Sequence, residues 1–176
     1  VHVMLCSSNS VENRVDVLLT EGGVMTKNFY LRQTQPAAAG YLLDAWCDAS
    51  LLNDYDAGDE IERTLLPEAN YEFPDGKTLD LSAATQRSEL KRIKFSASGL
   101  AAGEYVLPLT VAAQDAPDAD KTLYYNVSVR QPYTDEYTLH DGHDLFFVFY
   151  VNTNDFQPLL VLDYIMQKKL ARGSTV

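Results

Sequence analysis

Apolar and polar residues alternate with a period of two along most of this chain, and this alternation constrains the fold more than any other feature. Val15, Val17 and Leu19 follow the pattern until Gly22 and Gly23 end it. Successive side chains of a strand point to opposite faces, so a period of two is typical of half-buried strands. Further strands are predicted at 1–5, 41–48, 78–81, 90–97, 103–112, 123–130 and 145–151. Many short strands between turns predict an all-β, immunoglobulin-like antiparallel β-sandwich.

One segment departs from this alternation. Leu51, Leu52 and Tyr55 have helical spacing behind Ser50, a possible N-cap, so one short helix is predicted at 50–56. Pro67, Pro74 and Pro108 each lack a backbone donor, so strands near them are predicted to be edge strands or to begin there. The Asp-, Ala- and Pro-rich segment 114–121 lies between two strong strand patterns and predicts a hairpin connection.

The charge balance disfavours several classes of partner. Asp and Glu total 25 against 14 Lys and Arg, a formal net charge of −11. Such a surface repels phosphate backbones and anionic lipid headgroups, so no nucleic acid partner is expected. The apolar run at 145–151 is far shorter than the roughly 20 residues of a membrane-spanning helix, so no transmembrane segment is expected. No basic segment followed by an apolar one opens the sequence, so any signal peptide is expected to lie outside it.

Cysteine and histidine do not predict a metal site or a cofactor. Cys6 and Cys47 both lie in apolar alternating runs, where free thiols are favoured over a disulfide, although the sequence leaves both open. His140 and His143 share an acidic stretch that could bind a metal, but the Gly between them favours a turn before a strand.

An acidic loop resembles a catalytic motif but lacks its acid. Asp115, Asp118 and Asp120 follow an apolar strand with the spacing D-x-x-D-x-D, which resembles the strand-end motif of family 18 glycoside hydrolases. In that motif a Glu two residues after the last Asp protonates the leaving oxygen. Thr122 occupies this position. A solvated acidic turn is therefore the favoured interpretation, and no catalytic residue is predicted.

Two longer stretches resemble a family of N-terminal modules. The segments LLPEANYEFP at 65–74 and GEYVLPLT at 103–110, with SLLNDY at 50–55 before them, resemble an N-terminal β-sandwich family of unknown function. This family stands at the front of surface lipoproteins of glycan-degrading gut bacteria. The resemblance covers about residues 1–130. It implies an accessory domain at 1–130, secreted or on the outer-membrane surface of a Gram-negative bacterium.

The C-terminal part has a different resemblance. The segment FVFYVNTNDFQPL at 147–159 resembles the first barrel strand and loop of family 18 endo-β-N-acetylglucosaminidases, which cut N-glycans. The resemblance implies a downstream catalytic barrel in the parent chain and makes Asn152, Asn154 and Asp155 substrate-binding candidates. A barrel needs roughly 250 residues, so residues 145–176 would be only its first strand and helix. The alternative is a last strand and helix of the sandwich, and 131–144 is predicted to be a linker.

Trp46 is the remaining substrate-binding candidate. Aromatic faces stack on sugar rings, and 11 Tyr residues fit a carbohydrate-binding module. However, Trp46 lies in an alternating strand beside Cys47, where a buried Trp is the commoner outcome in sandwiches. Two functions therefore stand. The first is a non-catalytic accessory module of a surface glycan-processing protein, with a glycan or glycoprotein as partner. The alternative is a free-standing glycan-binding or adhesin-like surface protein.

Overall fold

The computed structural model describes residues 3–8, 10–35 and 40–131. They belong to a unit that spans Val1–Pro132, and a second unit, Tyr133–Val176, lies outside the described residues. The predicted linker, the predicted strand at 145–151 and the helix after it therefore remain predictions.

The described residues are mostly strand. Two short 3₁₀ helices, Ala49–Leu52 and Glu68–Asn70, interrupt them. The strands are β1 (Val3–Cys6), β2 (Arg14–Thr20), β3 (Val24–Gln33), β4 (Tyr41–Cys47), β5 (Thr64–Leu65), β6 (Tyr71–Glu72), β7 (Thr78–Leu81), β8 (Lys91–Ser96), β9 (Gly103–Val111) and β10 (Thr122–Arg130).

The strands form two sheets, which confirms the predicted all-β sandwich. The four-stranded sheet has the order β1-β3-β8-β6, and the six-stranded sheet has the order β2-β10-β9-β4-β7 with β5 paired to β9. The predicted hairpin also forms, because β9 and β10 pair antiparallel on either side of the acidic loop. Two pairs depart from the expected antiparallel pattern: β10 with β2 and β5 with β9 are parallel.

The parallel pair of β10 with β2 arises where the chain crosses between the sheets. β1 pairs with β3 in the four-stranded sheet, and β2 then pairs with β10 in the other. The crossing is fastened by Asn28, whose side-chain oxygen accepts hydrogen bonds from the Ser7 hydroxyl (3.3 Å) and the Ser8 backbone N–H (2.9 Å). The turn after β2 uses Gly22 at φ 73°, a left-handed conformation that favours glycine.

The core lies between the sheets and follows from the alternation. In β2 the residues Val15, Val17 and Leu19 are buried, whereas Asp16 is exposed. The largest buried side chains include Phe29, Phe95 and Tyr125, and the hydroxyl of Tyr125 donates to the backbone oxygen of Asn28 at 3.0 Å. Each such side chain stabilises the fold by about 1.5–3 kcal/mol relative to an exposed one. This core is the main source of stability.

The predicted helix at 50–56 is shorter and begins earlier than its pattern indicates. The structure has a 3₁₀ helix at Ala49–Leu52, and its N-cap is Asp48 rather than Ser50. The Asp48 carboxylate accepts from the backbone N–H of Ser50 at 3.0 Å, so it satisfies a donor at the start of the helix. Leu51 and Leu52 are only half-buried, so no apolar stripe extends the helix.

Pro108 contradicts the prediction that strands near proline are edge strands or begin there. It lies within β9, a central strand, opposite Tyr124. The backbone oxygen of Pro108 accepts from the Asp48 N–H at 3.0 Å, so this residue directs its backbone toward the β4 side. On that side β9 changes partner, from β5 at Tyr105 and Val106 to β4 at Leu109. The missing N–H of proline therefore lies at a gap in the pairing.

Candidate functional site

The outer face of β4 carries the predicted binding residue Trp46. Strand β4 turns Ala45 into the core and places Leu42, Asp44 and Trp46 on the opposite face. Trp46 is 38% exposed and Leu42 is 70% exposed. The expectation that Trp46 is a core residue is therefore wrong, because Ala45 occupies the inward position of the strand. We call Leu42, Asp44 and Trp46 the Trp46 face.

The neighbours of the Trp46 face are polar. Asp44 accepts a hydrogen bond of 2.6 Å from the hydroxyl of Thr78 on β7, and Trp46 lies opposite Thr110 of β9. An exposed indole beside carboxylate and hydroxyl groups combines an apolar stacking surface with hydrogen-bonding groups. The geometry makes Trp46 accessible to a ligand, and its role in sugar binding stays a prediction.

A long connection covers the outer face of the same sheet at β10. We call residues 48–63 the cover segment. The ring of Tyr55 stacks on Tyr124 with centroids 4.0 Å apart, and its hydroxyl donates to the Asn126 side-chain oxygen at 2.9 Å. Arg14 of β2 donates to the backbone oxygen of Ala57 at 2.7 Å. Burial raises the pKa of both Tyr55 and Tyr124. These two rings are thus used in packing within the domain.

Arg63 fastens the end of the cover segment. Its side chain is only 8% exposed and donates to both carboxylate oxygens of Asp59, at 2.6 and 2.9 Å. These hydrogen bonds lower the pKa of Asp59 to about 2. The Nε atom of Arg63 and the amide nitrogen of Asn126 are buried and have no partner among the described residues. The cover segment therefore has a polar inner side.

A cleft opens beside β7, at the edge of the six-stranded sheet. Its volume is about 360 Å³, and we call it the edge cleft. One wall consists of Thr78, Asp80 and Ser82, and the other consists of Thr85, Arg87, Ser88, Glu89 and Lys91. No sequence pattern predicted this cleft. The available signal was the alternation on β7, which turns Leu79 and Leu81 inward and leaves polar side chains outward.

Buried polar side chains hold the second wall of the edge cleft in place. Gln33, at the end of β3, is 1% exposed, and its amide nitrogen donates to the backbone oxygens of Ser82 and Thr85. The hydroxyl of Ser88 accepts from the Leu31 backbone N–H at 2.9 Å and donates to the Glu89 backbone oxygen at 3.0 Å. The wall is thus tied to β3 at Thr85 and at Ser88.

The acidic loop is a turn in which Asp115 and Asp118 are exposed. The carboxylate of Asp115 accepts from the Tyr41 hydroxyl at 2.5 Å, and that of Asp118 pairs with Lys121 at 2.8 Å. Thr122 is buried, and its hydroxyl lies 3.2 Å from that of Thr110. The residue at the position of the motif's Glu is therefore a buried Thr, whose hydroxyl is next to another hydroxyl.

Cys6 and Cys47 are free thiols. Burial raises the pKa of both. In the part of the chain that the structure describes, no three His, Cys, Asp or Glu side chains are grouped as metal ligands. The candidates Asn152, Asn154 and Asp155 lie outside the described residues, so they stay predictions.

Comparison with known proteins identifies the family. Residues 7–118 match the model of a protein family described as a "-like, N-terminal domain". The chain belongs to this family of N-terminal domains. No curated protein matches the sequence. None of the helical segments in the described ranges has the length and apolar character of a membrane span.

Solved structures from Bacteroides share the fold. A Bacteroides ovatus protein described as a candidate carbohydrate-binding protein has a TM-score of 0.60 and 16% identity, over 73% of this chain and 37% of that one. Bacteroides thetaiotaomicron EndoBT-3987, solved with a Man5GlcNAc product, has a TM-score of 0.53 and 18% identity, over 71% and 30%. A B. ovatus protein of unknown function has a TM-score of 0.56 and 17% identity, over 82% of this chain and 52% of that one. The match therefore spans only about a third to a half of these proteins.

Proposed function

We propose that this chain is a non-catalytic accessory module of a larger glycan-processing protein. The observation that carries the proposal is the membership of residues 7–118 in a family of N-terminal domains. It is supported by a fold shared with a candidate carbohydrate-binding protein and with EndoBT-3987, in which the match covers 37% and 30% of the longer chain. Because such a domain forms the smaller part of these proteins, we assign it an accessory role.

The finer form of the proposal concerns the parent protein. We propose that a family 18 barrel with endo-β-N-acetylglucosaminidase activity on N-glycans follows this sandwich. The support is the resemblance of 147–159 to a first barrel strand and loop. The parent would be a secreted protein or an outer-membrane surface lipoprotein of a Gram-negative bacterium. The native reading frame tests this, because a downstream strand that ends in D-x-x-D-x-D-x-E is required.

The glycan partner is proposed to contact the Trp46 face. Trp46 is the single tryptophan of the chain, and its ring is accessible on a sheet face with polar neighbours. Binding of neutral glycans to the full chain can be measured on an array. Trp46→Ala is expected to abolish the signal, whereas Leu18→Ala, an exposed apolar residue on β2 at the other edge of the same sheet, should leave it unchanged. Equal binding by both variants would contradict the role of Trp46.

A separate experiment tests the proposal that this chain by itself is not catalytic. The acidic loop has Thr122 where a general acid would have to stand, and this residue is buried. We expect the purified chain to release no oligosaccharide from a high-mannose glycoprotein. Release of free glycan would contradict the accessory role directly.

A second candidate function is a free-standing glycan-binding or adhesin-like surface protein. The exposed indole of Trp46 is the observation that favours it, because a binding face needs no catalytic partner. The length of the native reading frame separates the two functions. A frame that ends soon after residue 176 would favour the free-standing protein.

A further inference from the structure

We propose that the edge cleft is a hydrogen-bonding subsite for a neutral oligosaccharide. The inference rests on the proposed glycan partner and names a second set of residues that would contact it. The cleft lies next to the Trp46 face, because Thr78 of its first wall donates to Asp44 and Asp80 lies opposite Leu42. Its volume of about 360 Å³ falls within the range of roughly 300–1,000 Å³ that is typical of small-molecule sites.

The charges that line the cleft favour an uncharged ligand. Arg87 and Lys91 are balanced by Asp80 and Glu89, although the whole chain carries a net charge of −11. An anion would meet the two carboxylates, and a cation would meet the guanidinium and the ammonium group. A polyol can instead donate its hydroxyls to the carboxylates and accept from the cations. Such charge-assisted hydrogen bonds are stronger than neutral ones.

The two carboxylates are available for a ligand. Within the described ranges, the side-chain carboxylates of Asp80 and Glu89 have no hydrogen bond or ion pair. Two other carboxylates are paired with cations of β8: Asp75 with Arg92 at 2.8 Å and Glu72 with Lys94 at 2.8 Å. Carboxylates that accept nothing from the protein, on a wall that the protein has fixed, are suited to accept from a ligand.

The backbone of β7 adds further hydrogen-bonding groups. The N–H of Ala45 donates to the oxygen of Lys77 at 2.9 Å, so Lys77 directs its backbone toward β4. The alternation of an antiparallel ladder then turns the N–H and C=O groups of Thr78 and Asp80 toward the free edge of the sheet, where the cleft lies. A sugar at this edge would meet both side-chain and main-chain groups.

The cleft is formed before a ligand arrives. Gln33 and Ser88 tie its second wall to β3, and the guanidinium of Arg87 lies over the ring of Tyr30 at 4.2 Å from the centroid. Because the backbone of this wall is held by the fold, binding does not have to order it. A pre-formed wall is consistent with recognition by hydrogen bonds, which require precise positions.

The test is a titration of the isotope-labelled full chain with Man5GlcNAc, followed by NMR amide shifts. Shifts are expected at 78–82 and 85–91. The double variant Asp80→Asn, Glu89→Gln is expected to bind at least about tenfold more weakly, which is about 1.4 kcal/mol. The control Asp16→Asn, Glu21→Gln makes the same charge change at the opposite edge of the sheet, where both residues are exposed, and should bind within about twofold of the original chain.

The outcomes separate this inference from the proposed function. Binding that survives the cleft substitutions and is lost in Trp46→Ala would overturn the subsite and leave the glycan partner in place. Tighter binding of a sulfated oligosaccharide than of the neutral one would also overturn it. A chain that binds no neutral glycan of a broad array would overturn both the subsite and the glycan partner.

Discussion

The hydrogen bond between Tyr55 and Asn126 is expected to contribute measurably to stability. The Tyr55 hydroxyl donates to the Asn126 side-chain oxygen at 2.9 Å, and Asn126 is only 4% exposed. In Tyr55→Phe the side-chain oxygen of Asn126 would lose this hydrogen bond. The side-chain nitrogen of Asn126 already has no partner among the described residues, so the whole amide would then be unpaired there. A buried polar group left without a partner costs about 1–3 kcal/mol. Because Tyr55 itself is half-buried, we expect the lower part of this range, about 1–2 kcal/mol.

The assay is urea unfolding of the full chain at neutral pH, followed by the fluorescence of its single tryptophan. Tyr105→Phe is the matched control, because the Tyr105 hydroxyl donates to the Ala101 backbone oxygen at 2.9 Å in an exposed position, where water can replace it. We expect less than about 0.5 kcal/mol for this control. Tyr55→Leu, which also removes the stack on Tyr124, should cost about 0.5–1.5 kcal/mol more than Tyr55→Phe.

A double-mutant cycle decides whether the bond itself is responsible. In an Asn126→Ala background, Tyr55→Phe no longer removes a partner from a buried amide, so its cost should nearly vanish. A coupling free energy of about 1–2 kcal/mol is expected. If Tyr55→Phe costs no more than Tyr105→Phe and the coupling is near zero, the cover segment is not fastened by this bond and the reasoning is refuted.

Three further predictions concern pH and domain organisation. Burial raises the pKa of Tyr71 from 10.0 to about 12 and raises that of Tyr125, so the folded chain keeps protons that the unfolded chain loses; urea-measured stability should fall between about pH 10 and 12, and less steeply in Tyr71→Phe. The hydrogen bond from Arg92 lowers the pKa of Asp75 to about 2, so its stabilising effect should be lost as pH falls from about 4 toward 2, and an NMR titration of Arg92→Gln should move this pKa back up. Deletion of 133–176 should leave the thermal midpoint almost unchanged, because the described strands have their own core and a polar, proline-bearing segment follows at 131–136; loss of cooperative unfolding would show that these residues belong to the sandwich.

The strands that could be predicted are those in which one face is apolar throughout. In β2 and β7 each inward position has Val or Leu, so the alternation of apolar residues in the sequence matches the alternation of buried residues in the structure. Strand β3, which was not predicted, has a different pattern. Its first half has no fully buried residue, and its buried positions Phe29, Leu31 and Gln33 include a polar side chain. Gln33 is buried because the backbone oxygens of Ser82 and Thr85 accept from it, and a contact this distant in sequence leaves no periodic signal.

The short pairs were missed for a related reason. Strands β5 and β6 have two residues each, too few for any alternation to appear. Their existence depends on the partner: β5 occupies the edge of β9 at Tyr105 and Val106, where β4 does not reach. The sequence carries the propensity of each residue, but such pairs are decided by which strand edge the fold leaves open.

The position of Trp46 follows from the pleat of β4, whereas the edge cleft follows from the topology of the two sheets. On β4 the position of Trp46 is determined by parity, because a strand that buries Ala45 must turn residue 46 outward, and a shift by one residue would expose the apolar face. Composition led to the opposite expectation, since tryptophan is so often buried. The edge cleft, by contrast, needs β7 of one sheet and the start of β8 in the other sheet to lie side by side. No local pattern encodes that proximity, because it arises where the chain crosses between the sheets at 82–90. Asp80 precedes this crossing and Glu89 lies near its end, and they become neighbours in one cleft only when both sheets have formed.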